Sequence, residues 1–309
     1  MIGKQFCDIE VKSKLGMTKK DWTGKTYGND WMHNTLVRLL RHIPLWVMYW
    51  FVSVFVMPVT FVVNRRHRHV YRYYHKHLGF SPLMSVIRSY VNFCNFSKLV
   101  IDRFAFYSGR KFKIEVEGQE FFDKLASRPE GFMMMSAHLG NFEIAGYSLV
   151  SDKKRFNVLA FAGEKGSVME NRGKVFERTN INMIGIGQGM DYVFEISAAL
   201  NRGEILAAAA DRVLGSSKSV EAKILDANAS LPAGPFSIAV AQRLDVILVL
   251  VLKQSYSKYK IYVTPLEYDK TARRAVAQNQ LVQNYAQQLS RRIRQYPDHW
   301  FNYYDFWND

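Results

Sequence analysis

The sequence predicts an α/β fold: a mixed, mostly parallel central sheet flanked by helices, with an N-terminal hydrophobic membrane helix. Three observations predict it. Short apolar runs of strand type recur through the second half of the chain, helix-like stretches separate several of them, and one long uncharged run stands near the N-terminus. Strands alternating with helices form βαβ units, whose crossovers lay parallel strands side by side.

Residues 1–42 are polar and glycine-containing and read as an N-terminal arm. Within them "DWTGKTYGNDWMH" (21–33) sets turn residues between tryptophans, an ordered lead-in. Residues 43–66 read as a membrane-associated segment. Its run "IPLWVMYWFVSVFVMPVTFVV" (43–63) carries no charge and matches the length of a bilayer crossing. It starts too late for a cleavable signal peptide. Arg38, Arg41 and His42 precede it and Arg65, Arg66 and Arg68 follow, so the flanking charge assigns no orientation. That symmetry suits a helix, or a pair of helices broken at Pro58, lying in one leaflet with both ends on the cytoplasmic side. Trp46, Trp50 and the lack of a polar face favour membrane contact over a buried core helix.

Residues 67–309 read as the α/β domain, opening with a helical lead-in from Val70 to about Arg110. "KFKIEVEG" (111–118) alternates like a half-buried strand, and "GFMMMSAH" (131–138) is a continuous apolar run, the mark of a buried strand. The runs at 155–162, 181–187, 204–211, 245–253 and 258–265 repeat that type. Helix-like stretches lie at 141–150, 165–179, 190–202 and 233–243, and residues 270–296 read as one long polar amphipathic helix.

The net charge is +15, from 42 Lys+Arg against 27 Asp+Glu, which favours an anionic partner. No RRM, KH or zinc-finger pattern accompanies it, so nucleic acid is not expected. Cys7 and Cys94 stand far apart with no CxxC and no histidine cluster, which supports neither a disulfide framework nor a zinc site, and no metal is expected.

Ligands of open α/β sheets collect at the carboxyl ends of strands. His138, Gly163 to Lys165, and Asp211 with Arg212 fall there. In "SAHLGNFEIAG" (136–146) the histidine and Glu143 stand five positions apart, about 500° along a continuous helix, so they meet only if His138 sits on a turn. Gly140 allows that bend and Asn141 is a good N-cap. A carboxylate on one imidazole nitrogen orients the ring and raises its basicity, as general-base chemistry requires. No GxSxG elbow is present to support a serine hydrolase.

"SAHLGNFEIAG" resembles the H-x4-D/E block of the glycerolipid acyltransferase superfamily. The likeness is closest to the bacterial lipid A late acyltransferases of lauroyl/myristoyl type. It extends through "NRGKVFERTN", "LNRGEILAAAADR" and "ANASLPAGPFSIAVAQRLDVILVLV" to "PDHWFNYYDFW", and the N-terminal apolar segment agrees with the membrane anchor of that family. The resemblance implies a glycerolipid acyltransferase-type fold, with His138 as general base and Glu143 orienting it. It implies direct attack on an acyl thioester, of acyl carrier protein or CoA as co-substrate, with no cofactor. Arg172, Arg178 or turn amides around Gly140 would stabilise the oxyanion. Gly140, Asn141, Gly163, Lys165, Asp211 and Arg212 would lie on the substrate side. The partners implied are a membrane lipid acceptor and an acyl carrier protein, at a bacterial inner membrane with the catalytic domain facing the cytoplasm. Asp211-Arg212 departs from the Asp-Gln or Asp-His usual in lipid A members, which leaves the acceptor open. A lipid- or carrier-binding protein that keeps the fold without catalysis is the alternative.

Overall fold

A computed structural model describes residues 35, 38–40, 42–142, 144, 149, 154–161, 180–186, 191–213 and 218–307. A helix, α1 (Leu45–Val63), opens the architecture. It is followed by α2 (His67–Arg72), which runs into a π turn at Tyr73–His77, and by α3 (Pro82–Tyr107). Pro82 at the helix start and the Ser81 hydroxyl, accepting from the Met84 amide, fix where α3 begins.

Helix α1 is unbroken at Pro58. The turn at Val52–Val56 widens to π geometry just before it. A proline ring crowds the carbonyl one turn back and offers no N–H to it, and a wider turn relieves both. The Thr60 hydroxyl donates to the Val56 carbonyl at 2.9 Å. The pair of helices broken at Pro58 is therefore one continuous helix.

The sheet holds seven strands in the order β1-β9-β8-β2-β5-β3-β4. They are β1 (Lys113–Glu117), β2 (Phe132–Ser136), β3 (Phe156–Phe161), β4 (Ile181–Ile186), β5 (Ile205–Ala209), β8 (Asp245–Lys253) and β9 (Lys258–Pro265). Every neighbouring pair is parallel except β8 with β9. Each matches a run expected to be a strand. Alternation decides which face each side chain takes: Met133 and Met135 enter one core, Phe132 and Met134 the other. Between strands lie α4 (Gln119–Ala126), α5 (Asp191–Asn201) and α6 (Ala233–Ala241), and α7 (Arg274–Gln295) follows the last strand. Helices α6 and α7 cover the Met133 face, with Phe236, Tyr285 and Leu289 in that core.

One hairpin has no counterpart in the sequence reading, which places no strand between 211 and 245. Strands β6 (Ser219–Ile224) and β7 (Ala227–Pro232) pair antiparallel. Their turn residues, Leu225 and Asp226, both have positive φ, 53° and 68°. That is the twist a tight hairpin needs, usually marked by Asn-Gly, and its absence hid the turn. The expected helix at 165–179 lies outside the described residues, as does most of 141–150.

Candidate active site

Strand register brings the site together. Ser136 of β2 pairs with Ala209 of β5. His138 and Asp211 each lie two residues beyond these partners, at the carboxyl ends of adjacent parallel strands. The His138 ring Nδ1 donates to Asp211 Oδ1 at 2.8 Å, and the His138 backbone amide donates to Oδ2 at 2.8 Å. One carboxylate therefore fixes both the ring and the backbone of the same residue. Trp300 Nε1 also points to Oδ2, at 3.5 Å. The Asp211 side chain is 2% exposed and that of His138 22%.

Burial pushes the Asp211 carboxyl up, but the His138 ring, Arg212 and the His138 amide outweigh it and hold the group below the usual carboxylate range. Burial and the Arg212 charge pull the His138 imidazole below its ordinary value, against the opposing pull of Asp211. The outcome is a neutral, oriented imidazole backed by an ionised carboxylate, the state in which a histidine accepts a proton.

The turn after His138 is locked from two sides. Gly140 has φ +78°, and a Cβ there would come within 1.9 Å of the Val251 carbonyl, so only glycine fits. The Gly140 amide donates to the His299 carbonyl and the Asn141 amide to the Val251 carbonyl, both at 2.8 Å; the Phe301 amide returns to the His138 carbonyl at 3.1 Å. The C-terminal segment is thus a strap across the turn. Arg212 joins it, with Nη2 donating to the Phe301 carbonyl at 2.5 Å and its guanidinium 5.9 Å from the Tyr304 ring centre.

These contacts revise several expected roles. The amides of Gly140 and Asn141, named with the arginines as oxyanion donors, donate within the protein and hold the turn. Asn141 is 2% exposed. Asp211, expected on the substrate side, is the carboxylate on His138 Nδ1, the place given to Glu143. Arg212 secures the strap. Glu143, Gly163, Lys165, Arg172 and Arg178 lie outside the described residues. Sequence reasoning did not single out Trp300, Tyr304 or Tyr285, whose hydroxyl donates to the Ser136 carbonyl at 3.0 Å. The aromatic density of "HWFNYYDFW" was their signal, without any indication of which strand end it covers.

The histidine and aspartate are hydrogen-bonded at neighbouring strand ends of a mostly parallel sheet, where ligands of open α/β sheets collect. The family model for bacterial lipid A biosynthesis acyltransferases matches residues 101–307, which include His138, Asp211 and the strap, and the chain belongs to that family. It is accordingly an acyltransferase of lipid A or glycerolipid type. The chain is also similar to the crystal structure of the 1-acyl-sn-glycerophosphate (LPA) acyltransferase PlsC from Thermotoga maritima, with 11% identity and a TM-score of 0.38 over 89% of this chain and 100% of that one. Among curated proteins none matches.

Proposed function

We propose that this chain transfers a fatty acyl group from an acyl thioester to a hydroxyl or amine of a membrane lipid, with His138 as general base. The observation that carries it is the His138–Asp211 pair. With Nδ1 donating to Asp211, proton transfer falls to Nε2. The base takes the acceptor proton as its oxygen or nitrogen bonds to the thioester carbonyl carbon. The carbon–sulfur bond then breaks, and the proton passes to the departing thiolate. No acyl-enzyme is needed. The described cysteine, Cys94, is buried in α3. Glu143 is a second carboxylate for the same histidine by family resemblance, and Arg172 or Arg178 are the oxyanion donors to test.

The donor is acyl carrier protein or CoA, and the net charge of +15 suits the acidic carrier. The location proposed is the cytoplasmic leaflet of a bacterial inner membrane. In support, α1 packs along α3, where Tyr49 donates to Asp102 and the Tyr90 hydroxyl to the Ser53 carbonyl. Helix α3 also carries Arg88, Lys98 and Arg103, which a bilayer interior excludes. A helix bound lengthwise to such a partner lies in one leaflet instead of crossing.

The test is acyl transfer by the purified full-length protein from acyl carrier protein and CoA thioesters to a bacterial lipid extract, read by mass spectrometry. A single lipid class should gain one acyl chain, and His138→Ala should abolish the gain. A folded wild-type protein that binds lipid and carrier but transfers from neither donor would favour the non-catalytic reading.

A further inference from the structure

A cavity of about 450 Å³ lies where α1, α3 and the turn between β8 and β9 meet, and the chemistry above makes no use of it. Lys98 of α3 and Lys253 at the end of β8 bring two ammonium groups to it, with the His299 ring beside them. No lining residue is acidic. All three N–H groups of Lys253 are engaged, by the fully buried Asp102 carboxylate, the Tyr49 hydroxyl at 3.1 Å and the Tyr256 carbonyl at 3.2 Å, whereas Lys98 is more lightly held, donating to Asn95 Oδ1 at 3.3 Å. The Ser53 hydroxyl is buried and makes no hydrogen bond among the described residues.

Lys98 and the unpartnered Ser53 hydroxyl are donors at a site with no acidic lining residue, which matches a group whose oxygens only accept: a phosphate. The remaining wall is apolar. Trp46 and Trp50 line the cavity from α1 and are 62% and 57% exposed, continuous with the helix face read as touching the membrane. A free anion has no use for that wall, whereas a lipid has. Burial, with Lys253 and Lys98 nearby, lowers the His299 pKa to about 4, so this ring adds no third charge and remains a polar partner.

We propose that the cavity binds the headgroup phosphate of an anionic phospholipid, held by Lys98 and Ser53, with its acyl chains leaving along Trp46 and Trp50. The assignment rests on the membrane-contact reading of α1. Its position gives it a consequence: the His299 carbonyl accepts from the Gly140 amide at 2.8 Å, so a lipid seated here abuts the segment that straps the His138 turn.

The experiment uses the full-length protein and two probes. One is vesicles of phosphatidylcholine, alone or mixed with phosphatidic acid. The other is monomeric dihexanoyl phosphatidic acid, followed by tryptophan fluorescence. Phosphatidic acid should tighten vesicle binding, and Lys98→Gln should remove about fivefold of that gain, the effect of one cation at an anionic lipid surface. Lys124→Gln, which removes an exposed charge from the last turn of α4, should leave the gain intact. Ser53→Ala should weaken monomeric phosphatidic acid without moving the melting temperature or binding to neutral vesicles. Equal losses in Lys98→Gln and Lys124→Gln would reduce the effect to net charge and overturn the site. Inorganic phosphate or dihexanoyl phosphatidylcholine binding as tightly as dihexanoyl phosphatidic acid would overturn it too. If the monomeric lipid binds while no vesicle does, the cavity assignment stands and the membrane reading of α1 falls.

Discussion

At the residue scale the proposed chemistry turns on a single carboxylate. Asp211 is ionised although buried, because it accepts from the His138 ring and from the His138 amide. His138→Ala removes the base and should lower the rate by about 10²–10⁴ while the protein melts as the wild type does. A near-normal rate would take His138 out of the mechanism. Asp211→Asn separates the orienting charge from the base. The sign of the pH effect follows from the directions at the site. With its folded pKa depressed, His138 stays neutral below the ~6.5 at which an unfolded histidine protonates, so the acid limb of kcat/KM should lie below that pH. Asp211 is the group that raises the proton affinity of His138, so in Asp211→Asn the limb should move further down as kcat falls. A limb that moves upward would mean that Asp211 does not act through His138. The stability linkage has the same sign. As pH falls through about 6.5 the unfolded chain takes the proton first, and the native state loses what the neutral ring contributes.

At the scale of elements, two junctions decide whether the site exists. The first is the turn at Gly140 against the end of β8. Gly140→Ala puts a methyl group into the Val251 carbonyl and forces an L-residue to φ +78°, so it should destabilise the fold by ~2 kcal/mol or more and lower activity with it. Denaturant titration measures the first and turnover the second; an unchanged midpoint would show that the strap yields. The second junction is Asp102. Its carboxylate accepts from Tyr49 of α1, Tyr259 of β9 and Lys253 of β8. Burial pushes the Asp102 carboxyl up and the Lys253 ammonium down, and the charge of each partner opposes that push on the other. Asp102→Ala leaves a buried cation and two phenols without their acceptor, a change of about 3–5 kcal/mol. A loss within experimental error would show that water replaces the carboxylate.

For the whole molecule, the apolar face of α1 is the feature a globular core does not explain. Only 11% of its most apolar window is buried, and Trp46, Trp50, Phe55 and Val59 point outward. The first turns of α3 add Leu83, Met84 and Ile87, exposed as well. A continuous apolar surface of this kind is a membrane or partner contact. Replacing Trp46, Trp50, Phe55 and Val59 with serine should weaken vesicle association by about 100-fold or more, from the lost transfer of four apolar side chains. The melting temperature should stay, since the inner face of α1 is untouched. Deleting residues 1–66 is a harsher operation than the sequence suggests. It removes Tyr49 from Asp102 and uncovers Ile101, Phe104 and Ala105, which pack with Leu45 and Tyr49. The truncated protein should leave the membrane yet melt lower.

Local patterning determined the parts. Strand-length runs marked all seven strands of the main sheet: β2 and β8, buried on both faces, are apolar along their length, while the edge strand β1 alternates. The uncharged run announced α1, and a histidine following a buried strand placed the proposed base at the carboxyl end of β2. Tertiary structure decided what each part meets. That Asp211 holds His138 follows from β2 lying beside β5, a pairing of segments some seventy residues apart that no spacing within either segment encodes. The aromatic C-terminus reads as composition until the order of β8, β2 and β5 gives Trp300 a carboxylate to reach. The Leu225–Asp226 turn was invisible for another reason: the hairpin's own pairing and packing impose a backbone that those two residues do not announce. The same holds for Pro58, where the helix absorbs locally what the sequence signals as a break.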